Sequence, residues 1–312
     1  MTAYIRPDVA EMLRMLEAAD QPPLDEMPLD EARKAMRDMQ DLVERPAHDL
    51  AVIEDLACSG PTGDIPLRLY DCRDIREPGP MILFIHGGGF VIGDLDSYHN
   101  LCTEIALRAD LPVLSVDYRL APEHPFPAAP DDVEAAARWA AGSPVALGRV
   151  VTGLIPMGDS AGGNLTLVTT QSLMLQPATV PVLMQVPVYP LADDIADHPS
   201  YAEFGDGYLL TRRAMKWFTD CYKAPLDDRR NYPILGPLEG TPPTVLATAG
   251  LDPLRDSGRR FAASLVEAGC DVTYLEMRGN IHGFANLRKA IPSAQEDLLV
   301  ILQAMQTTLE RL

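Results

Sequence analysis

Three short stretches of the chain hold residue types suited to nucleophilic acyl transfer. The first is Gly158-Asp159-Ser160-Ala161-Gly162, which follows an apolar run ending at Met157 and opens a helical stretch. Ser160 is therefore expected at the apex of a sharp strand-to-helix turn. Glycine on either side has no Cβ to collide with the adjoining strand and helix, and such a turn strains the serine backbone. A serine at a helix start is otherwise an N-cap, and these five residues alone do not separate the two roles. The second stretch, His86-Gly87-Gly88-Gly89-Phe90, comes directly after an apolar run at 81–85. Consecutive glycines there let backbone N–H groups face a cavity, which is how a pocket for an oxyanion is made. Gly87 and Gly88 are the expected donors, joined by the N–H of Ala161 at the helix start. A phosphate loop would need a Gly-Lys-Ser/Thr ending or a dinucleotide glycine spacing, and the stretch has neither. The third stretch is a base and its orienter. His282 follows the last apolar run, and Asp252 follows the run at 244–250. Taken singly, Asp252 or Asp256 is a helix cap and His282 a loop histidine. Taken with the glycines, Ser160, His282 and Asp252 compose a nucleophile, a base and an orienting acid.

Residues so far apart in sequence need elements that converge. Apolar runs at 81–85, 112–118, 153–157, 181–189, 244–250 and 271–277 alternate with helical stretches near 97–109, 128–141, 161–175, 254–268 and 293–312. Runs apolar throughout suit strands covered on both faces, joined by parallel crossovers. The pattern predicts an α/β fold with about eight strands, opened by an antiparallel hairpin of 52–58 and 65–72. Residues 1–45 read as an amphipathic helical arm broken by Pro22, Pro23 and Pro28. Residues 191–233 hold no parallel-strand run but carry an aromatic-rich helix at 211–222, as an inserted lid would. The remaining residues, 46–190 and 234–312, form the body of the fold.

Composition narrows the partners. The 312 residues include 45 acidic and 26 basic side chains, a formal charge of −19. Such a chain repels phosphate backbones and anionic headgroups, so neither nucleic acid nor an acidic membrane surface is expected as a partner. Five cysteines without a Cys-x-x-Cys pair suggest neither a disulfide framework nor a metal site, and fit a reducing, cytoplasmic setting. The first twenty residues lack a signal-peptide apolar run. Residues 160–192 carry no charge, but Pro177, Pro181, Pro187 and Pro190 divide them. A buried helix followed by a buried strand is the expectation, not a membrane span.

Five motifs in one order carry a resemblance: HGGGFVIGD at 86–94, DYRLAPEHPFPAA at 117–129, GDSAGGN at 158–164, DPLRD at 252–256 and HGF at 282–284. On these the chain resembles the hormone-sensitive lipase family of α/β-hydrolases, whose bacterial members are mostly carboxylesterases. The resemblance implies an α/β-hydrolase fold: a mostly parallel eight-stranded sheet flanked by helices, with a small helical cap built from the arm and the insertion. It implies Ser160 as nucleophile, His282 as base and Asp252 as orienter, in the chain order that fold uses. Gly87, Gly88 and Ala161 would be the oxyanion donors. No cofactor is implied, and the substrate is a small ester of short or medium acyl chain. Phe90, Tyr98, Tyr189, Phe204, Tyr208, Leu209, Trp217 and Phe284 are expected near an apolar substrate pocket. His86, Asp117, Tyr118, Arg119 and Glu123 read as scaffold. Homodimers are common in that family, though no residue here requires one. Ser257 departs from the pattern, standing where that branch carries Glu. An amidase or peptidase, or a receptor that uses only the pocket, remains open on the same fold.

Overall fold

The arm and the hairpin come first in the computed structural model, which describes residues 3–19 and 22–312. Met1, Thr2, Asp20 and Gln21 of the expected arm lie outside it. The arm consists of α1 (Pro7–Ala18), α2 (Leu29–Asp38) and α3 (Gln40–Val43), with a 3₁₀ turn at Leu24–Glu26. The prolines break it into more pieces than the two expected. Strands β1 (Val52–Ser59) and β2 (Asp64–Asp71) pair antiparallel, with Ser59 opposite Asp64.

From there strand and helix alternate. In chain order come β3 (Gly79–Ile85), α4 (His99–Ala109), β4 (Val113–Val116), α5 (Ala128–Ala141), β5 (Val151–Asp159), α6 (Ala161–Leu175) and β6 (Val186–Val188). After α7 (Pro199–Phe204) and α8 (Arg212–Tyr222) follow β7 (Thr244–Leu251), α9 (Arg255–Glu267), β8 (Val272–Ile281) and α10 (Ala294–Leu309). The eight strands lie in the order β1-β2-β4-β3-β5-β6-β7-β8. Strand β2 is antiparallel to both neighbours, and all pairs from β4 onward are parallel.

Uniformly apolar strands feed two cores at once. Successive side chains of a strand point to opposite faces. Met81, Leu83 and Ile85 accordingly join the core beneath α5 and α6, with Ala137, Ala140 and Leu165. Ile82 and Phe84 join the opposite core with Leu101 and Ile105 of α4 and Leu298 and Ile301 of α10. Burying each such side chain contributes about 1.5–3 kcal/mol, so the sheet centre is a rigid base for the loops at its carboxyl edge.

Two expectations need adjustment. The run at 181–189 yields only the three residues of β6, preceded by single bridges from Val182 and Gln185. Pro181 and Pro187 have no N–H to extend a ladder. The insertion holds α7 as well as the expected α8. The uncharged stretch becomes α6 and β6, and among the described residues no helix is long and apolar enough to cross a membrane.

Candidate active site

Ser160 sits between the last residue of β5 and the first of α6, with φ 56° and ψ −118°. A non-glycine residue held there stores about 1–3 kcal/mol of strain. The turn is tight enough to exclude any side chain beside it. A Cβ on Gly162 would lie 2.0 Å from the Ile85 carbonyl oxygen, and one on Gly158 2.4 Å from that same oxygen. The Ser160 side chain does not cap α6. Its Oγ lies instead 2.8 Å from His282 Nε2.

His282 follows β8, and its Nδ1 is 2.7 Å from Asp252 Oδ2 in the loop after β7. Asp252 is fully buried and accepts a second hydrogen bond, at Oδ1, from the Leu254 N–H at 2.8 Å. Because a carboxylate only accepts, Nδ1 carries the imidazole proton and Nε2 is free to accept from the Ser160 hydroxyl. Ser160, His282 and Asp252, which follow β5, β8 and β7, thus meet in one hydrogen-bonded line. Asp252 does not begin α9, whose first residue is Arg255.

Hydrogen bonds fix the glycine loop peptide by peptide. The Gly87 N–H donates to Asp159 Oδ1 at 2.8 Å, while the His86 carbonyl accepts from Tyr118 Oη at 2.8 Å. The Gly87 carbonyl is held by His86 Nδ1 at 2.7 Å. The Gly88 carbonyl accepts from the N–H groups of Val91 and Ile92, both at 3.0 Å. In a trans peptide the N–H points opposite to the C=O, so the N–H groups of Gly88 and Gly89 face away from those anchors. They, and the N–H of Ala161, meet no protein acceptor among the described residues. Gly88 (φ 111°) and Gly89 (φ 60°) adopt backbone that only glycine takes readily. Gly87 was an expected oxyanion donor, but its N–H is engaged by Asp159. Gly89 takes its place among the free donors.

His86 has a structural part. His86 is buried against Tyr118, their rings stacked at 4.3 Å, and burial pushes its imidazole down to about 4. It stays neutral and braces the loop. Burial pushes the Asp159 carboxyl up to about 6, against the nearby His282 and the hydrogen bonds from Gly87, Tyr98 and Tyr189 that hold it down. Arg119 pairs with Asp132 at 2.8 Å and Glu123 with Arg33 of the arm at 2.8 Å, as scaffold. Ser257 Oγ accepts from the N–H groups of Ala192 at 2.9 Å and Asp193 at 3.2 Å, and so anchors the start of the insertion.

The expected pocket residues divide. Phe90 stacks on Tyr222 at 3.9 Å, and Phe284 packs edge-on against Tyr189. Phe90, Tyr98, Tyr189 and Phe284 are 5%, 3%, 0% and 0% exposed, so they pack into the protein around the site and present almost no surface to an open pocket. Phe204 is buried under Arg255, 4.9 Å from its guanidinium, with Tyr208 against its edge. Leu209 is partly exposed, and a Cβ on Gly283 would lie 3.7 Å from its side chain, which places it beside His282. A residue not anticipated is Phe218, next to Trp217 on α8. Its ring lies where a Cβ on Gly89 would be, 2.3–2.5 Å away. Only the aromatic character of α8 was visible in the sequence, not which ring reaches the loop.

Comparison with known proteins bears on the fold and on the class of reaction. A family model of the alpha/beta hydrolase fold matches residues 82–286. The chain is 34% identical to an ethyl acetate hydrolase of Pseudomonas putida, over 97% of this chain and 98% of that one. It is 37% identical to esterase LipI of Mycobacterium tuberculosis, over 86% of each. Among solved structures, an ester hydrolase from the Lake Arreo metagenome, complexed with a bipyridine phosphonate derivative, superposes with a TM-score of 0.90. It is 33% identical, over 98% of this chain and 99% of that one.

Proposed function

The chain belongs to the alpha/beta hydrolase fold family, among the hormone-sensitive-lipase-like carboxylesterases; it is a carboxylic ester hydrolase, and we propose that it works through an acyl-enzyme on Ser160. The observation that carries this reading is the continuous line from Ser160 Oγ to His282 at 2.8 Å and on to Asp252 at 2.7 Å. Ser160 Oγ attacks the ester carbonyl as His282 Nε2 takes its proton, and Asp252 balances the imidazolium that forms. Negative charge on the carbonyl oxygen is received by the N–H groups of Gly88, Gly89 and Ala161. Each preorganised donor of this kind contributes about 3 kcal/mol to lowering the barrier. The imidazolium then protonates the departing alcohol, and water, activated by the same base, releases the acid.

The arm and residues 191–233 act as the cap over this line. Arg213 of α8 reaches Asp25 at 2.8 Å and Glu26 at 2.5 Å in the arm. Phe218 brings the cap down onto Gly89, which favours esters of short or medium acyl chain. The ethyl acetate named for the Pseudomonas relative is a small ester of that kind. Five free thiols support a reducing, cytoplasmic setting.

A panel of aryl esters from acetate to palmitate, with matched anilides, tests the proposal. The expected maximum lies below palmitate, the anilides are far slower, and Ser160→Ala lowers ester turnover by more than about 10⁴-fold. A palmitate maximum would overturn the chain-length assignment, and faster anilide cleavage would make the protein an amidase. No turnover of any ester would leave only a receptor role.

A further inference from the structure

The acid before the nucleophile is not used in the acyl-transfer steps, yet it is the most connected polar group of the site. The Asp159 carboxylate is 4% exposed and accepts the Gly87 N–H at 2.8 Å on Oδ1. Its Oδ2 accepts from Tyr98 Oη at 3.2 Å and Tyr189 Oη at 3.3 Å. Tyr98 stands just before α4, and Tyr189 just after β6 with its ring 4.7 Å from that of His282. One carboxylate therefore joins the nucleophile turn, the glycine loop, the start of α4 and the end of β6. The loop is shaped to meet it: a Cβ on Gly87 would lie 2.7 Å from Asp159 Oδ2 and 2.8 Å from Tyr98 Oη.

We infer that Asp159 is the positioning residue of the oxyanion pocket, fixing the peptide before Gly87 so that the N–H groups of Gly88 and Gly89 stand at a set distance from Ser160. This rests on the acyl-enzyme reading above. The peptide between His86 and Gly87 is gripped at both ends, by Asp159 at its N–H and by Tyr118 at its C=O. Of the two grips only Asp159 is covalently adjacent to Ser160, so it alone ties donor to nucleophile. Removing it lets that peptide rotate and carries the next two donors off the reacting oxygen. A displacement of about 1 Å costs on the order of a hundredfold in rate.

The test uses Asp159→Ala, which removes the acceptor, and Asp159→Asn, which keeps an oxygen for Gly87. Each is assayed for kcat and KM on an aryl acetate and for inhibition by an aryl trifluoromethyl ketone, whose adduct on Ser160 presents an oxyanion. Asp159→Ala is expected to lower kcat by about ten- to a hundredfold with KM within a few-fold. Its inhibition constant should rise by a similar factor, and Asp159→Asn should recover most of both. A folded Asp159→Ala enzyme with wild-type kcat and wild-type ketone affinity would overturn the inference, as would a rise in KM alone. If the alanine variant does not fold, Asp159→Ser carries the same readouts. A ketone that fails to inhibit the wild type, or inhibits Ser160→Ala equally, would instead sink the acyl-enzyme reading itself.

Discussion

Residues at this site trade stability for chemistry, and Asp159 shows it most plainly. Its folded-state carboxyl is raised to about 6 from the ordinary aspartate value of 3.8. Between those values the folded protein binds the proton that the unfolded chain has released, so this group penalises folding above about pH 6 and not below about pH 4. Asp159→Asn is therefore expected to raise Tm at pH 8, the gain shrinking as pH falls towards 4. Equal Tm differences at both ends, followed by calorimetry, would contradict the burial argument. Asp252 is the second case. Asp252→Asn can donate where His282 needs an acceptor, so the imidazole is turned to the wrong tautomer and kcat should fall about 10⁴-fold with the fold intact. A drop of less than tenfold in steady-state kcat would remove Asp252 from the proposed line. Ser160, Asp252 and His282 were legible because each follows an apolar run within a recognisable motif. The true set of free donors was not, because which N–H faces outward depends on the φ of Gly88 and on Asp159 claiming Gly87, and neither is written in the spacing.

Elements were read well where periodicity was long and poorly where a few residues decide. The bounds of α5 and α6 coincide with the helical stretches read from sequence, and the hairpin of β1 and β2 pairs as expected. The six-residue α7 escaped notice because it spans less than two turns. The facing of α8 escaped for another reason: an amphipathic helix declares an apolar side but not its partner. That facing has a measurable result. Phe218→Ala opens the space over Gly89 and should move the acyl-chain optimum of kcat/KM towards longer esters, with little change in Tm. An unchanged chain-length profile would mean that α8 does not bound the pocket.

At the scale of the whole molecule, the parallel sheet gathers the loops after β3, β5, β7 and β8 at one carboxyl edge, where open α/β sheets bind ligands. The arm is fastened to this body by buried charge. Arg288, fully buried, lies 2.9 Å from Glu44 at the end of the arm and 3.5 Å from Glu104 of α4. Glu44→Gln leaves that guanidinium under-compensated and should cost about 3 kcal/mol in urea unfolding, since breaking a buried pair costs more than the pair is worth. A loss below about 0.5 kcal/mol would show that Glu104 suffices. The account as a whole stands on Ser160 becoming acylated. Acid-quenching the enzyme during turnover of an aryl acetate and mapping the peptides by mass spectrometry tests this directly. The predicted result is an acetyl group on Ser160 that is absent from Ser160→Ala, and acylation of a different residue, or undiminished turnover by Ser160→Ala, would contradict it.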